Sequence, residues 1–194
     1  MQEIINEIYE EVKRRCSLPS NFYGVGAWDH HIEIVYQIAK NNAKLYGANQ
    51  DIVSLAALLH DIASVTNKDY TEEHHLIGAE IAEELLQKYN LTQEQISLIK
   101  KCILNHRGSR LMQKNSNEEI CLADADAMAH FYSIPSLLEM VYVEKKLSID
   151  DGAEFVLNKL KRSYNKLSPQ GKKIVSSRYK AALLVLKKPD INEF

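Results

Sequence analysis

Apolar residues recur every three or four positions through nearly all of this 194-residue chain, and that helical period restricts its fold more than any other feature. No segment shows the strict alternation of apolar and polar residues that is typical of a half-buried strand. Only 7 Gly and 4 Pro are present, which is few for a fold with many tight turns. The sequence therefore predicts an all-α fold of roughly eight to ten helices.

Periodicity and capping residues place the individual helices. The segment 49–65 is apolar almost all round, so we expect one buried central helix there. Pro135 is expected to kink or split a later helix, and Thr71 is expected to cap an earlier one. We predict a single domain over 1–194 with helices over 2–16, 29–46, 49–65, 72–89, 92 to near Gly108, 116–146, and two more that begin at 148 and 168.

The charge and the cysteine content indicate which classes of partner and which cellular compartment to expect. The formal net charge is −2, so general attraction to a nucleic-acid polymer or a membrane surface is not indicated. The three cysteines lie far apart without a CxxC pair, which argues against a disulfide framework and a thiolate zinc site. The N-terminal segment is charged and amphipathic and lacks the continuous apolar core of a signal peptide. No run approaches the ~18 apolar residues of a membrane span. We expect a cytoplasmic protein without a membrane partner, and the oligomeric state stays open.

The stretch LAALLHDIAS, residues 55–64, places His60 and Asp61 in the middle of an apolar segment. Burying an ionisable side chain costs free energy unless the group is paired or binds a metal ion. The alanines around the pair are small enough to let a second helix approach, so side chains from that helix can reach it. The stretch therefore indicates either a metal site or a core hydrogen bond between His60 and Asp61.

Two other histidines share a helix face with core residues, as residues at positions i, i+3, i+4 and i+7 do. His31 aligns with Val35 and Ile38. His106 ends a stripe of isoleucines just before a glycine that can terminate the helix. Both histidines are candidates to join the His-Asp pair.

Periodicity leaves two choices open. His74 and its neighbour His75 are almost equally well aligned with apolar residues of their helix. Asp124 and Asp126 lie about 200° apart at ~100° per helical residue, so both cannot point into one site. The pattern alone does not select between the members of either pair.

Histidines and aspartates from separate helices form a mixed set of nitrogen and oxygen ligands. Such a set suits Mn²⁺, Fe²⁺, Co²⁺, Ni²⁺ or Zn²⁺, and the carboxylates are also compatible with Mg²⁺. A bound metal can lower the pKa of a water toward ~7 and can hold a phosphoryl oxygen as a Lewis acid. We therefore predict a divalent ion as the cofactor.

The order His31…His60-Asp61…Asp126 resembles the H…HD…D signature of the HD-domain superfamily of metal-dependent phosphohydrolases. The phrases AALLHDIA, HHLIGAEIAEELL and DADAM follow one another in the order that this family shows. The resemblance spans about residues 25–145. It implies an all-α HD-type bundle over that range, and we expect the C-terminal helices over 148–188 to pack on it.

The resemblance also implies roles for individual residues. Its final ligand matches Asp126 and not Asp124, and the extra histidines of family members with two metals match His74 and His106. These two are either ligands of a second metal or groups that donate a proton to the leaving group. The implied metal ligands are His31, His60, Asp61 and Asp126, and the implied catalytic residues are Asp61, His74 and His106.

The chain departs from the family pattern in two places. Many members carry another acid three residues after the HD aspartate, where this chain has Ser64. This departure favours attack by a metal-activated water over a mechanism with a carboxylate base at that position. The HD-GYP signature of cyclic-dinucleotide phosphodiesterases is absent, so that substrate class is not favoured.

The implied activity is hydrolysis of a phosphoester or phosphoanhydride of a small phosphorylated metabolite, with a nucleotide as the favoured substrate. Lys68 and Arg107 are the candidates to bind its phosphate, since arginine in particular suits bidentate contact with phosphate oxygens. Arg110 and Lys114 are weaker candidates.

Two alternative functions remain in view. Some HD-fold proteins use two irons for oxygenation, and the six implied ligands could hold a di-iron centre. A non-catalytic module that senses a nucleotide or a metal is the other alternative, and the intact ligand set argues against it.

Overall fold

Every regular element is a helix over residues 1–24, 26–106 and 114–188, which are the residues that this computed structural model describes. The predicted all-α fold is confirmed. The α-helices are α1 Gln2–Cys16, α2 Glu33–Tyr46, α3 Gln50–Leu59, α4 Ile62–Thr66, α5 His74–Leu86, α6 Gln93–Asn105, α7 Asn117–Tyr132, α8 Ile134–Glu139, α9 Ile149–Lys166 and α10 Pro169–Leu186.

The chain divides into two compact units, Met1–Asp126 and Ala127–Phe194. In the first unit α3 packs against α1, α2 and α6, while α5 packs against α4 and α6. In the second unit α9 packs against α8 and α10. A single domain with the C-terminal helices packed on the core stays a prediction.

Apolar stripes and capping residues explain the first helices. In α1 the buried residues Ile5, Ile8 and Val12 recur at helical spacing and face the core. Helix α2 ends at Gly47, whose φ of 64° is a left-handed conformation that glycine adopts without strain. The Asn49 side chain then accepts hydrogen bonds from the N–H groups of Asp51 and Ile52 in the first turn of α3.

The predicted central helix over 49–65 is wrong in one respect, because the chain breaks at the His-Asp pair into α3 and α4. Asp61 has φ −108° and ψ 16°, which departs from helical geometry. Neighbouring residues on a continuous α-helix point about 100° apart. The break therefore lets the side chains of His60 and Asp61 face the same polar cluster.

Several predicted helix boundaries are confirmed and one is wrong. Helix α5 begins at His74, and the Thr71 hydroxyl donates to a backbone carbonyl instead of capping that helix. A capping box at Thr92 opens α6, which begins where the sequence predicts it. The predicted split at Pro135 is confirmed, since α7 ends at Tyr132 and α8 begins two residues later with this proline in its first turn.

The sequence also predicts that the chain has no membrane span and no disulfide framework. None of the described helices combines the length and the apolar character that a membrane crossing requires. Cys16, Cys102 and Cys121 are buried free thiols. The cysteines therefore act as small apolar core residues in the positions where the sequence places them.

Candidate metal centre

Six histidine and aspartate side chains converge within the first unit. They form two groups of three, and in each group the potential ligand atoms all lie within 4.8 Å of one another. One group draws on a π-helical turn before α2, the end of α3 and the middle of α7, whereas the other draws on the α3–α4 break, the start of α5 and the end of α6. The groups are His31, His60 and Asp126, and Asp61, His74 and His106.

The first group is formed around His31, which lies in the π-helical turn Trp28–Ile32. Its Nε2 atom lies 3.2 Å from Nε2 of His60 and 3.4 Å from Oδ1 of Asp126. The His60 side chain is fully buried, while those of His31 and Asp126 are each 24% exposed. The group therefore has a closed inner side and a side that solvent reaches.

The second group is deeper. Nε2 of His74 lies 3.3 Å from Nε2 of His106. Oδ1 of Asp61 lies 3.7 Å from the first of these atoms and 4.0 Å from the second. The three side chains are 13%, 3% and 6% exposed for His74, His106 and Asp61, so most of this group is shielded from water.

Asp61 lies between the two groups and presents one oxygen to each. Its Oδ2 atom lies 3.4 Å from Nε2 of His31 and 3.3 Å from Nε2 of His60. Its Oδ1 atom faces the histidines of the second group. A carboxylate in this position can contact two cations at once.

Backbone carbonyls fix the orientation of three imidazoles. The Nδ1 atoms of His60, His74 and His106 lie 2.7, 2.7 and 2.5 Å from the carbonyl oxygen three residues earlier in the chain. A carbonyl oxygen only accepts, so Nδ1 must carry the hydrogen. The Nε2 atom therefore faces the centre, and in the neutral imidazole it offers its lone pair there, as it does in metal-binding histidines that donate through the other nitrogen.

The electrostatics of the His-Asp pair favour positive charge at this point. Burial lowers the pKa of His60, but the carboxylates of Asp61 and Asp126 outweigh it and raise that pKa to about 9. Burial raises the pKa of Asp61, but His60 and His31 outweigh it and hold that pKa well below its usual range. His60 therefore carries a proton that it would have to lose in order to bind a metal ion, whereas Asp61 is already a carboxylate.

His106 has the opposite shift. Burial and the nearby charge of His60 lower the pKa of His106 to about 4. Its imidazole is therefore neutral near pH 7 and offers a lone pair rather than a proton. This state suits a metal ligand better than a general acid.

The donor set fits divalent cations on geometric grounds as well. Tetrahedral or neighbouring octahedral ligands about an ion with bonds of ~2.1 Å are roughly 3.0–3.4 Å apart. The 3.2 and 3.3 Å separations between facing Nε2 atoms fall in that range. Two facing lone pairs repel unless a proton or a cation lies between them.

His60 and His106 also cap the C-terminal ends of α3 and α6, where the helix dipole favours positive charge.

Some predicted residues lie elsewhere or outside the described residues. The buried Asp124 is absent from both ligand groups and accepts a hydrogen bond of 2.7 Å from the Tyr46 hydroxyl. Lys68 lies on an exposed 3₁₀ turn between α4 and α5. Arg107 and Arg110 fall in 107–113, outside the described residues.

Sequence reasoning did not identify Tyr23 as a candidate site residue. The segment 17–28 that contains it has only the pattern of a loop. The residue is 38% exposed overall, but its hydroxyl interacts with the Asp61 carboxylate. Burial and the charge of Asp61 raise the pKa of Tyr23, so the hydroxyl stays protonated. It can therefore donate a hydrogen bond beside the two ligand groups.

Backbone pairing explains how Tyr23 reaches the centre. The N–H of Phe22 donates to the carbonyl of Ser64, and the N–H of Lys68 donates to the carbonyl of Ser20, both at 3.1 Å. These two bonds tie the loop before the π-helical turn to the end of α4. They involve backbone groups only, so no residue pattern signals them.

Comparison with known proteins gives a family match. A family model described as HD domain matches residues 28–130, which is more than half of the chain and includes all six clustered residues. No solved structure matches the chain.

Curated relatives match over shorter stretches. An uncharacterized protein from Clostridium beijerinckii is 33% identical over 82 residues, which cover 41% of this chain and 52% of the relative. Ribonuclease Y from Chloroflexus aurantiacus is 43% identical over 63 residues, covering 32% and 12%. A bifunctional uridylyltransferase/uridylyl-removing enzyme from Erythrobacter litoralis is 29% identical over 100 residues, covering 51% and 10%. The chain thus spans about half or less of the length of these relatives.

Proposed function

The chain belongs to the HD domain family, and from this premise we propose that it hydrolyses a phosphoester or phosphoanhydride bond of a nucleotide or a similar small phosphorylated metabolite. Membership indicates the superfamily of metal-dependent phosphohydrolases. The observation that carries the proposal is the pair of ligand groups with Asp61 between them. The names of two relatives, a ribonuclease and a uridylyl-removing enzyme, also denote cleavage of phosphodiester bonds.

In this proposal the two groups hold one divalent cation each, from Mn²⁺, Fe²⁺, Co²⁺, Ni²⁺, Zn²⁺ or Mg²⁺. Bound cations would polarise a phosphoryl oxygen and make a water more acidic. His31, His60 and Asp126 hold the ion nearer to solvent, where a substrate can reach it. Asp61, His74 and His106 hold the deeper ion. The neutral state of His106 supports a ligand role for it over a proton donor's role.

The remaining polar groups position the substrate. The Tyr23 hydroxyl can donate a hydrogen bond to a phosphoryl oxygen without losing its proton, because its pKa is raised. Lys68 and Arg107 remain our candidates for phosphate contacts. Ser64 offers a hydroxyl where related chains carry an acid, and it has no carboxylate with which to accept a proton from water.

The test combines metal analysis with a phosphate-release screen. The purified protein is stripped with a chelator, reloaded with Mn²⁺, Fe²⁺ or Zn²⁺, and assayed with nucleoside mono-, di- and triphosphates and with a bis-aryl phosphodiester. We expect phosphate or alcohol release that depends on the metal and is lost in Asp61→Ala. Release that is unchanged by complete metal removal would contradict the proposal.

A di-iron oxygenase is the second candidate, since the same six side chains could hold two irons. Oxygen consumption coupled to turnover of the iron-loaded protein, without phosphate release, would favour it. A sensing module would instead bind nucleotides and show neither reaction.

A further inference from the structure

Basic residues are concentrated at the end of the chain to a degree that the net charge of −2 conceals. Of the 24 Lys and Arg, 10 fall within 155–188. None of the 26 Asp and Glu lies in this range. This range covers most of α9 and all of α10. We call residues 155–188 the basic hairpin.

The basic hairpin is an ordered surface within the second unit. Helices α9 and α10 pack together, and the rings of Tyr164 and Tyr179 stack with centroids 3.9 Å apart. Apolar residues of both helices, such as Leu160 and Val175, are fully buried. Most of the cations lie outside this packing, and the exposed ones are Lys161, Arg162, Lys166, Lys173, Arg178, Lys180, Lys187 and Lys188.

Three of these lysines form a regular stripe: two lie on α10, and the third is the residue that caps its C-terminal end. Lys173, Lys180 and Lys187 follow one another at intervals of seven residues, which is close to two helical turns. They therefore share one face, with successive Cα atoms roughly 10.5 Å apart along the axis. Val175 and Ala182 occupy the opposite side and are buried. The stripe faces away from the core of its unit.

Exposed planar groups accompany the cations. The Arg178 guanidinium lies over the ring of Tyr132 at 4.0 Å from the centroid, and this tyrosine is 41% exposed. Aromatic rings and guanidinium planes are surfaces on which unpaired bases stack.

We propose that the basic hairpin binds a single-stranded polynucleotide, with phosphates along the lysine stripe and bases near the exposed planar groups. The proposal departs from the expectation, drawn from net charge alone, that no nucleic-acid polymer binds. A membrane surface fits less well, because Val175 and Ala182 are buried within the unit and the exposed large apolar residues of α10, Leu184 and Val185, are confined to its last turn. The proposal does not depend on the proposed hydrolysis.

The test measures binding of a fluorescent single-stranded RNA of mixed sequence by anisotropy, with EDTA present so that metal-dependent cleavage does not interfere. The variant combines Lys173→Gln, Lys180→Gln and Lys187→Gln. The matched control combines Lys13→Gln and Lys44→Gln with a third change, Lys101→Gln, which removes the same charge from exposed lysines of the first unit. Circular dichroism verifies that both variants stay helical.

We expect the wild-type Kd to rise with salt, and the stripe variant to bind at least tenfold more weakly at low salt. Loss of three phosphate contacts should reduce the slope of log K against log salt by about 2. The control should bind within about twofold of the wild type. Equal losses in both variants, absence of RNA binding by the wild type, or binding to phosphatidylserine vesicles without RNA binding would each overturn the proposal. Self-association that only the stripe variant loses, without RNA binding, would overturn it as well.

Discussion

Replacing Asp61 by Asn should remove the metal response of the whole protein. Asp61 presents one oxygen to each ligand group, at 3.3 and 3.4 Å from the first pair of histidines and at 3.7 and 4.0 Å from the second. The amide keeps the shape of the carboxyl group but carries no negative charge, and its nitrogen does not coordinate a cation. One substitution therefore weakens both proposed ion positions.

The size of the effect follows from mass action. An ion at 100 times its Kd raises the free energy of unfolding by about 2.7 kcal/mol, and two independent ions by about twice as much. For a chain of this length, 1 kcal/mol corresponds to about 2–4 °C in Tm, so Mn²⁺ should raise the wild-type Tm by roughly 5–20 °C. We expect little or no rise in Asp61→Asn. In the metal-free Asp61→Asn variant, His60 no longer faces the charge of Asp61 and can give up its extra proton. This limits the stability that the substitution itself removes.

The matched control is Asp124→Asn, because Asp124 is also a buried carboxylate of the first unit but hydrogen-bonds to Tyr46 and belongs to neither group. It should lose some stability and keep the metal-dependent rise in Tm. Differential scanning calorimetry with and without Mn²⁺ measures the rise, and elemental analysis measures bound metal. A full Mn²⁺ response in Asp61→Asn, or equal losses in the two variants, would refute the assignment of Asp61.

Four further outcomes follow from the structure. Asp126→Asn changes only the first group, so elemental analysis should find one metal equivalent if the wild type holds the two proposed ions, and a count of two in the variant would contradict this. Tyr23→Phe should lower kcat by about tenfold or more while metal content is unchanged, since it removes one donor beside the centre; steady-state kinetics with metal analysis checks both. Arg14, aided by Arg15, lowers the pKa of the Glu11 carboxyl to about 2. Glu11 therefore stabilises the fold above its unfolded pKa of 4.5, and this stabilisation is lost as pH falls toward 2. Glu11→Gln should therefore cost at most about 1 kcal/mol at neutral pH, because solvent screens the pairs, and the difference in urea unfolding should shrink at acidic pH. Thr92→Ala removes the capping box of α6 and should cost about 1 kcal/mol in the same assay.

Helix-face reasoning worked where the relevant signal is local. His31 and His106 share faces with apolar residues of their own helices, and the structure brings both into the ligand groups. The same reasoning could not choose between Asp124 and Asp126, because both sides of α7 carry buried residues. The choice that family resemblance made agrees with the clustering, and the ligand role itself stays a prediction.

Features that depend on distant contacts were not predictable from residue patterns. The segment around His60 is apolar on all sides, so its periodicity cannot mark the break between α3 and α4. The approach of Tyr23 depends on backbone bonds between segments more than forty positions apart in sequence. Periodicity describes one element at a time, and both features arise between elements.

The six clustered side chains come from segments that are remote along the chain, and this has a consequence for assembly. Positions 31 and 60 are 29 residues apart, and positions 74 and 106 are 32 apart. Ions held there would act as removable cross-links that close long loops, much as disulfides do in chains outside reducing compartments. Because no short peptide contains a complete group, capture of metal would report that the helices have already met. Chelation after folding should then loosen the protein to proteases at several separate helices rather than at one end.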